Sequence, residues 1–154
     1  MMTNETEQTL ARFLAVGSFI VTTLVITGSV TDPVNVTKLL PLGAVGIAAL
    51  LIVARNRFTE IRDSGNWPVV LFLGFFLSSV SSLFFSEAPF SQSLYGSYGR
   101  NNGFLAYLFL FLILIGTSSF RRIESFKQLN FALYASLLVN LVYCMWVIAF
   151  GDFL

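Results

Sequence analysis

The chain has 154 residues, the length of one soluble domain, but 56% of them are hydrophobic and only 11% are charged. Soluble domains carry about 25% charged residues, so this sequence has too few to cover a globular surface. Mean hydropathy is +0.79, which indicates an integral membrane protein.

Composition excludes several classes of function. The net charge of +1 provides no concentrated basic face for a nucleic acid. The sequence has no His, which excludes His-based acid–base catalysis, Ser-His-Asp triads and His metal sites. A single Cys excludes an intrachain disulfide and a thiolate metal cluster. Glycine-rich nucleotide-binding motifs are absent too, so we expect neither a metal nor a cofactor.

Five apolar segments predict a single all-α transmembrane domain over residues 1–154, since each is near the ~17–25 residues that a membrane helix needs. In chain order the predicted helices cover about 13–30, 39–54, 67–85, 103–120 and 131–150. The leader contains Glu5 and Glu7, the wrong charge for a signal peptide, so the first segment is predicted to be a retained helix. Pro41 is expected in the first turn of the second helix, and Asn130 is expected to cap the fifth.

The distribution of Lys and Arg predicts the orientation of these helices. Seven positive residues fall before the first helix, between the second and third, and between the fourth and fifth; two fall on the opposite side. Positive residues in short loops favour the cytoplasmic side. We therefore predict a cytoplasmic N-terminus and a C-terminus outside.

Polar and small residues inside the predicted helices indicate helix packing. Gly74, Ser78 and Ser82 recur every four residues on the third helix, a pattern that allows close approach of another helix. Asn140, near the middle of the fifth helix, needs a hydrogen-bond partner in hydrocarbon. It either joins two helices or marks a substrate path, and the first is favoured because no ionisable residue accompanies it within the five segments.

The longest predicted external loop, residues 86–103, is the candidate for function. Tyr98 offers a flat aromatic face, Asn101 an amide and Arg100 the only guanidinium on that side. Aromatic rings and amides suit sugars, and a guanidinium suits phosphate or pyrophosphate. The same residue types also describe an ordinary interfacial turn, and the residues alone leave both interpretations open.

Three short motifs carry a family resemblance. The run SYGRNNGFLAYL at residues 97–108 resembles a segment of the bacterial O-antigen ligase and O-antigen polymerase-like membrane proteins. DPVNVTKL at 32–39 is similar to their junction between the first two helices, and SLFFSEAP at 82–89 to the end of their third helix. The resemblance covers roughly residues 10–120.

The resemblance implies a bacterial inner-membrane protein of cell-surface polysaccharide assembly. Such proteins transfer a glycan from an undecaprenyl-pyrophosphate carrier to an acceptor, so the implied partners are membrane lipid and a lipid-linked glycan. By this resemblance Arg100 and Lys38 face the carrier pyrophosphate or the glycan, and Tyr98 lines the pocket. Asn101 is a further candidate ligand-binding residue because of its amide.

This chain departs from the family because it has no His and lacks the large external loop that supplies the family's Arg and His. We therefore expect it to correspond to the N-terminal portion of such an enzyme and not to catalyse transfer alone; a C-terminal portion or a partner membrane protein would supply the rest. The alternative is a non-enzymatic small membrane subunit that docks onto a larger membrane protein. A transporter is disfavoured by the lack of charge within the helices.

Overall fold

The computed structural model of the chain describes residues 3–24, 35–55, 67–96 and 103–151. These residues are helical and include no strand, which confirms the predicted all-α class. The helices are α1 (Asn4–Thr23), α2 (Asn35–Arg55), α3 (Trp67–Phe85), α4 (Phe90–Tyr95), α5 (Phe104–Thr117) and α6 (Ile123–Phe150).

Three of the helices are long and apolar enough to cross a membrane: Thr37–Arg55 within α2, all of α3 and all of α6. The apolar α5 has 14 residues, fewer than the ~17–25 that a straight span uses. The 20 residues of α1 include Glu5, Glu7 and Arg12, which lower its mean hydropathy. The fold is therefore that of a helical membrane protein.

The helices begin in different places from those predicted, except α3, whose bounds are those expected. α1 starts at Asn4 because the Thr3 hydroxyl accepts a hydrogen bond from the Thr6 N–H at 3.3 Å and caps the helix. α6 starts at Ile123, eight residues before the predicted 131, so Asn130 lies inside it and caps nothing. Pro41 lies inside α2 and not in its first turn.

The first and last helices run parallel to each other. The Glu7 carboxylate contacts Ser125, and the Thr22 carbonyl contacts Asn140; each pair is 118 residues apart in the chain. A constant separation along two helices means that they run in the same direction. α1 and α6 therefore pack side by side over about four turns.

The other neighbouring helices complete an alternating pattern. α2 and α5 are parallel, because Gly43 lies against Phe109 and Ala49 lies against Gly116. α2 is antiparallel to α1, since Gly17 meets Val45 whereas Thr22, later in α1, meets Lys38, earlier in α2. α3 is antiparallel to α5 through the ring pairs Phe72–Phe111 and Phe76–Phe104. Leaving out the short α4, successive helices reverse direction.

The bundle is a curved row in the order α6, α1, α2, α5, α3, with the short α4 beside the start of α5. α1 also contacts α5, which makes α1, α2 and α5 the central group. Along the helix axes, the bundle has two ends. We call the one that holds Glu7 the Glu7 end and the opposite one, which holds Lys38 and the start of α5, the Lys38 end.

The core lies in the Glu7 half of the central helices. Seven buried hydrophobic residues from α1, α2 and the turn after α5 form it: Leu10, Ala11, Leu14, Val45, Ala49, Val53 and Phe120. Leu10, Ala11, Leu14 and Ala49 have no exposed surface. Alanine side chains on both helices keep α1 and α2 close, and the larger residues fill the space between them.

Glycines on α2 allow its close contact with α5. A Cβ at Gly43 would lie 2.8 Å from the Phe109 ring, and one at Gly46 would lie 2.9 Å from the Phe109 backbone oxygen. The Phe109 ring therefore occupies space that any side chain at Gly43 would take. Gly46 is the stricter case because a backbone atom cannot rotate away.

Candidate functional site

A polar cavity opens at the Lys38 end between α3, α4 and α5. Its volume is about 290 Å³. Hydroxyl, amide, aromatic and aliphatic side chains line it. The lining residues are Ser79, Ser82, Leu83, Ala88, Gln92, Ser93, Phe104 and Tyr107. Three serine hydroxyls, one amide and one phenol on an aromatic wall can donate to and accept from a polyhydroxyl ligand.

Local interactions fix the walls of this cavity. The Ser79 hydroxyl donates to the Phe75 carbonyl at 3.0 Å, which leaves its oxygen able to accept from a ligand. The Tyr107 ring packs edge-to-face on Phe75, with centroids 5.3 Å apart, a geometry that aromatic pairs prefer. The Ser86 hydroxyl accepts from the Ala88 N–H at 3.1 Å and turns the chain into α4.

Two glycines meet at the edge of the cavity and bracket the segment 97–102. Gly96 ends α4 with φ 96°, a left-handed conformation that favours glycine, and its N–H donates to Gln92. A Cβ at Gly103 would overlap the backbone of Tyr95 and Gly96, so no other residue fits at 103. The chain therefore leaves α4 and enters α5 at one place. Tyr98, Arg100 and Asn101, the predicted ligand-binding residues of this loop, lie outside the described residues.

Lys38 lies at the same end of the bundle as the cavity. Its ammonium donates to the Thr22 carbonyl at 3.5 Å, near the C-terminus of α1, where unpaired carbonyls favour a cation. Gly43 packs against Phe109, and Lys38 and Phe104 stand at the same distance before these two residues in the sequence. Because α2 and α5 are parallel, Lys38 is level with Phe104 in the cavity wall. An ammonium has three donors, and this bond uses one.

Asn140 joins α6 to α1 at the same carbonyl. Its side-chain Nδ2 donates to the Thr22 carbonyl at 3.4 Å and to the Ser136 carbonyl at 2.8 Å. Thr22 thus accepts from α2 and from α6 at once. The bond to Thr22 crosses to α1, whereas the bond to Ser136 stays within α6.

The predicted packing stripe on α3 faces away from its neighbour. A Cβ at Gly74 would meet nothing within 4 Å, Ser78 is exposed, and Ser82 borders the cavity. α3 instead contacts α5 through phenylalanines, with the Phe72 and Phe111 rings stacked at 5.4 Å. Among the described helices, the close approaches through glycine occur between α1, α2 and α5.

A second polar site lies at the Glu7 end, and the sequence gives no sign of it. Glu7 is 5% exposed. Its Oε1 accepts from the N–H groups of Arg121 and Arg122, at 3.1 and 2.9 Å, and from the Ser125 hydroxyl at 2.8 Å. A carboxylate from α1 therefore satisfies the unpaired donors at the start of α6.

The surroundings of Glu7 favour its charged form. Burial raises the pKa of this carboxyl, but the hydrogen bonds from Arg122, Ser125 and Arg121, together with the positive charge of Arg122, lower the pKa by more. The pKa of Glu7 is therefore below its ordinary value. The charged carboxylate stabilises the contact between α1 and the start of α6 through these three hydrogen bonds.

Within the described ranges, no group of three His, Cys, Asp or Glu side chains lies close enough to hold a metal ion. Comparison of the chain with protein-family models, with curated proteins and with solved structures finds no match. The likeness to O-antigen ligases thus rests on the three motifs alone.

Proposed function

We propose that this protein is the membrane portion of an O-antigen ligase-like system and handles an undecaprenyl-pyrophosphate-linked glycan in the bacterial inner membrane. In this proposal it binds the carrier and does not transfer the glycan alone. The observation that supports it best is the polar cavity, whose hydroxyl and aromatic lining suits a sugar and beside which Gly96 and Gly103 meet.

The proposed binding mode divides the ligand between two groups of residues. Ser82, Ser93 and Tyr107 face sugar hydroxyls, because each offers a hydroxyl at the cavity wall. Arg100 and Lys38 face the pyrophosphate, since both are cations and Lys38 is level with that wall. Tyr98 lines the pocket by the resemblance, and the Asn101 amide is a further candidate contact.

The proposal includes five membrane crossings, with the N-terminus in the cytoplasm and the C-terminus outside. The alternating directions of α1, α2, α3, α5 and α6 support an odd number of crossings. The positive residues support the sidedness, because seven of the nine lie on the predicted inner side. A periplasmic reporter fused after Leu154 is expected to be active; cytoplasmic reporter activity there contradicts the five-crossing topology.

Binding of the carrier tests the function directly. The protein in lipid nanodiscs is titrated with undecaprenyl-pyrophosphate glycan and then with free undecaprenyl pyrophosphate as competitor. We expect saturable binding that the free carrier displaces. Arg100→Ala should weaken it about tenfold or more, the loss expected for a charge-assisted hydrogen bond.

Two further variants localise the ligand. Tyr107→Phe removes only a hydroxyl from the cavity wall and should weaken binding of the glycan-bearing carrier but not of the free carrier. Arg55→Ala, at the far end of α2, is the matched control for loss of one cation. Binding to Arg100→Ala as tight as to the unmodified protein contradicts the pyrophosphate role, and absence of saturable binding contradicts the function.

The second candidate is a small subunit that docks onto a larger membrane protein. The outward face of α3 supports it, since Gly74 has open space above it and α3 buries none of its residues. Co-purification of a stoichiometric partner that Gly74→Leu abolishes would favour this candidate. Carrier binding by the isolated protein would favour the first.

A further inference from the structure

An apolar groove lies between α1 and α6 on the Glu7 half of the bundle, far from the polar cavity. Its volume is about 380 Å³, and its walls are almost entirely hydrocarbon. We call it the Arg12 groove, lined by Arg12, Ala15, Val16, Phe19, Gln128, Phe131, Ala132 and Ala135. A cavity of about 150 Å³ holds one benzene molecule, so this groove has room for a segment of an acyl chain.

The polar groups of the groove lie together at one end. Arg12 on α1 and Gln128 on α6 border the end nearer Glu7, and Phe19 and Ala135 border the other. Seven residues of helix separate Arg12 from Phe19, or about 10 Å. The groove thus begins at a guanidinium and an amide and continues as hydrocarbon, as a lipid does from its headgroup to its chain.

The amide at this end has an unmet hydrogen bond. Gln128 Oε1 is buried and accepts no bond within the described part of the chain. A buried acceptor without a donor costs free energy, so rotation of this amide toward the groove is favoured when a ligand there brings a hydroxyl that donates to it. Arg12 is exposed and forms no ion pair with another described residue, which leaves its guanidinium available for a phosphate.

We propose that the Arg12 groove holds one anionic glycerophospholipid with a hydroxyl-bearing headgroup, of which phosphatidylglycerol is the simplest. One acyl chain lies along Phe19 and Ala135, the phosphodiester faces Arg12, and a headgroup hydroxyl donates to Gln128 Oε1. Basic pockets between membrane helices bind such headgroups. This lipid site is independent of the glycan site proposed above.

The test is lipid retention by the purified full-length protein, measured by native mass spectrometry after exchange into phosphatidylglycerol, phosphatidylethanolamine or phosphatidylcholine with identical chains. We expect one phosphatidylglycerol to be retained about tenfold better than phosphatidylcholine, whose headgroup has no hydroxyl to donate. Equal retention of the three lipids, retention of phosphatidylethanolamine as strong as that of phosphatidylglycerol, or a protein dimer without lipid overturns the proposal.

Variants separate the two ends of the lipid. Arg12→Gln and Gln128→Leu should each reduce the preference for phosphatidylglycerol several-fold. Lys127→Gln removes one positive charge from the same end without lining the groove, and it should leave the preference within twofold. Ala135→Leu fills the chain-binding part and should reduce retention of all three lipids.

The opposite results overturn the proposal. If the preference for phosphatidylglycerol survives both Arg12→Gln and Gln128→Leu, the proposed headgroup contacts are excluded. If Lys127→Gln lowers the preference as much as Arg12→Gln does, the preference comes from the total positive charge at this end and not from contacts in the groove. Unchanged retention in Ala135→Leu places the lipid elsewhere. Helicity and melting temperature of each variant must match the unmodified protein, and Gln128→Met, which also removes the amide oxygen but has a similar size, replaces Gln128→Leu if the latter does not fold.

Discussion

The central helices and α3 are held in different ways. α1, α2 and α5 meet through glycine and alanine, with backbone atoms close enough that a Cβ at Gly46 would lie 2.9 Å from a carbonyl oxygen. α3 touches α5 through phenylalanine rings and buries none of its residues. The contacts among α1, α2 and α5 require small residues at particular positions. The contact between α3 and α5 requires only large apolar side chains.

The difference shows what holds helices together in lipid. Acyl chains solvate a phenylalanine about as well as another helix does, so apolar area alone gives little preference for the protein contact. Close backbone approach and hydrogen bonds have no equivalent in the lipid. The central helices are therefore the fixed part of the molecule, and α3, which carries one wall of the polar cavity, is its most weakly attached long helix.

The largest expected effect comes from placing a side chain at the backbone contact of α2. Gly46→Leu should lower the free energy of unfolding by about 3 kcal/mol, because the new side chain must displace the Phe109 backbone. The measurement is unfolding in mixed micelles titrated with dodecyl sulfate.

The matched control is the same change on the outer face of α3. Gly74→Leu meets open space, and its effect should stay within about 0.5 kcal/mol. Equal destabilisation by the two substitutions would mean that the two regions do not differ as described.

Removal of the Glu7 charge should have the next largest effect. Glu7→Gln weakens three hydrogen bonds to the start of α6 and should cost about 1.5–3 kcal/mol, the range for bonds to a charged group. Glu5→Gln, an exposed carboxylate in the same turn, is the control and should change little.

The pH dependence of stability identifies the same carboxylate. Since the pKa of Glu7 is lowered in the folded protein, its contribution is fully present above the ordinary glutamate pKa. It is lost as the pH falls through the lowered folded value. Thermal stability should therefore decline in acid for the unmodified protein and less steeply for Glu7→Gln. Identical acid profiles would contradict this assignment.

A smaller effect is expected at the hydrogen bonds of Asn140. Asn140→Leu removes its bonds to Thr22 and Ser136 and should cost about 0.6–2 kcal/mol. Asn130→Leu, on an exposed face of the same helix, controls for the change in polarity. A greater loss in Asn130→Leu would exclude the link between α6 and α1 as the cause.

The smallest effect is expected between α3 and α5. Phe72→Leu removes one stacked ring, worth about 0.5–1 kcal/mol. The exposed Phe84→Leu serves as control and should be neutral. Cross-linking of cysteine pairs placed on α3 and α5 measures how far the helices separate, and unchanged cross-linking in Phe72→Leu would show that other contacts hold α3.

The sequence predicts the apolar parts of these helices better than their ends. Hydropathy placed α3 correctly, because its apolar run and its helical run coincide. α1 and α6 begin earlier than predicted because polar residues continue the helix beyond the apolar run: Thr3 caps α1, and the first turns of α6 contain Glu124 and Lys127. Hydropathy reports where lipid can surround a helix and not where the helix begins.

The pairing of helices was the part that the sequence could not supply. α2 and α3 are apolar on all sides, so no periodic pattern marks which face meets a neighbour. The pattern at Gly74, Ser78 and Ser82 matched a packing motif but faces outward, whereas Gly43 and Gly46 form the close contact. Ser79 and Ser82 border the cavity only because α4 lies opposite, and nothing local in the sequence specifies that position.

The parallel contact between α1 and α6 has a consequence for biosynthesis. Glu7 leaves the ribosome more than a hundred residues before its donors at Arg121, Arg122 and Ser125. Until then α1 enters the membrane with this carboxylate unmatched at its boundary. The contact between α1 and α6 therefore forms only after α6 has been made and inserted, and until then Glu7 lacks the donors that hold it in the folded protein.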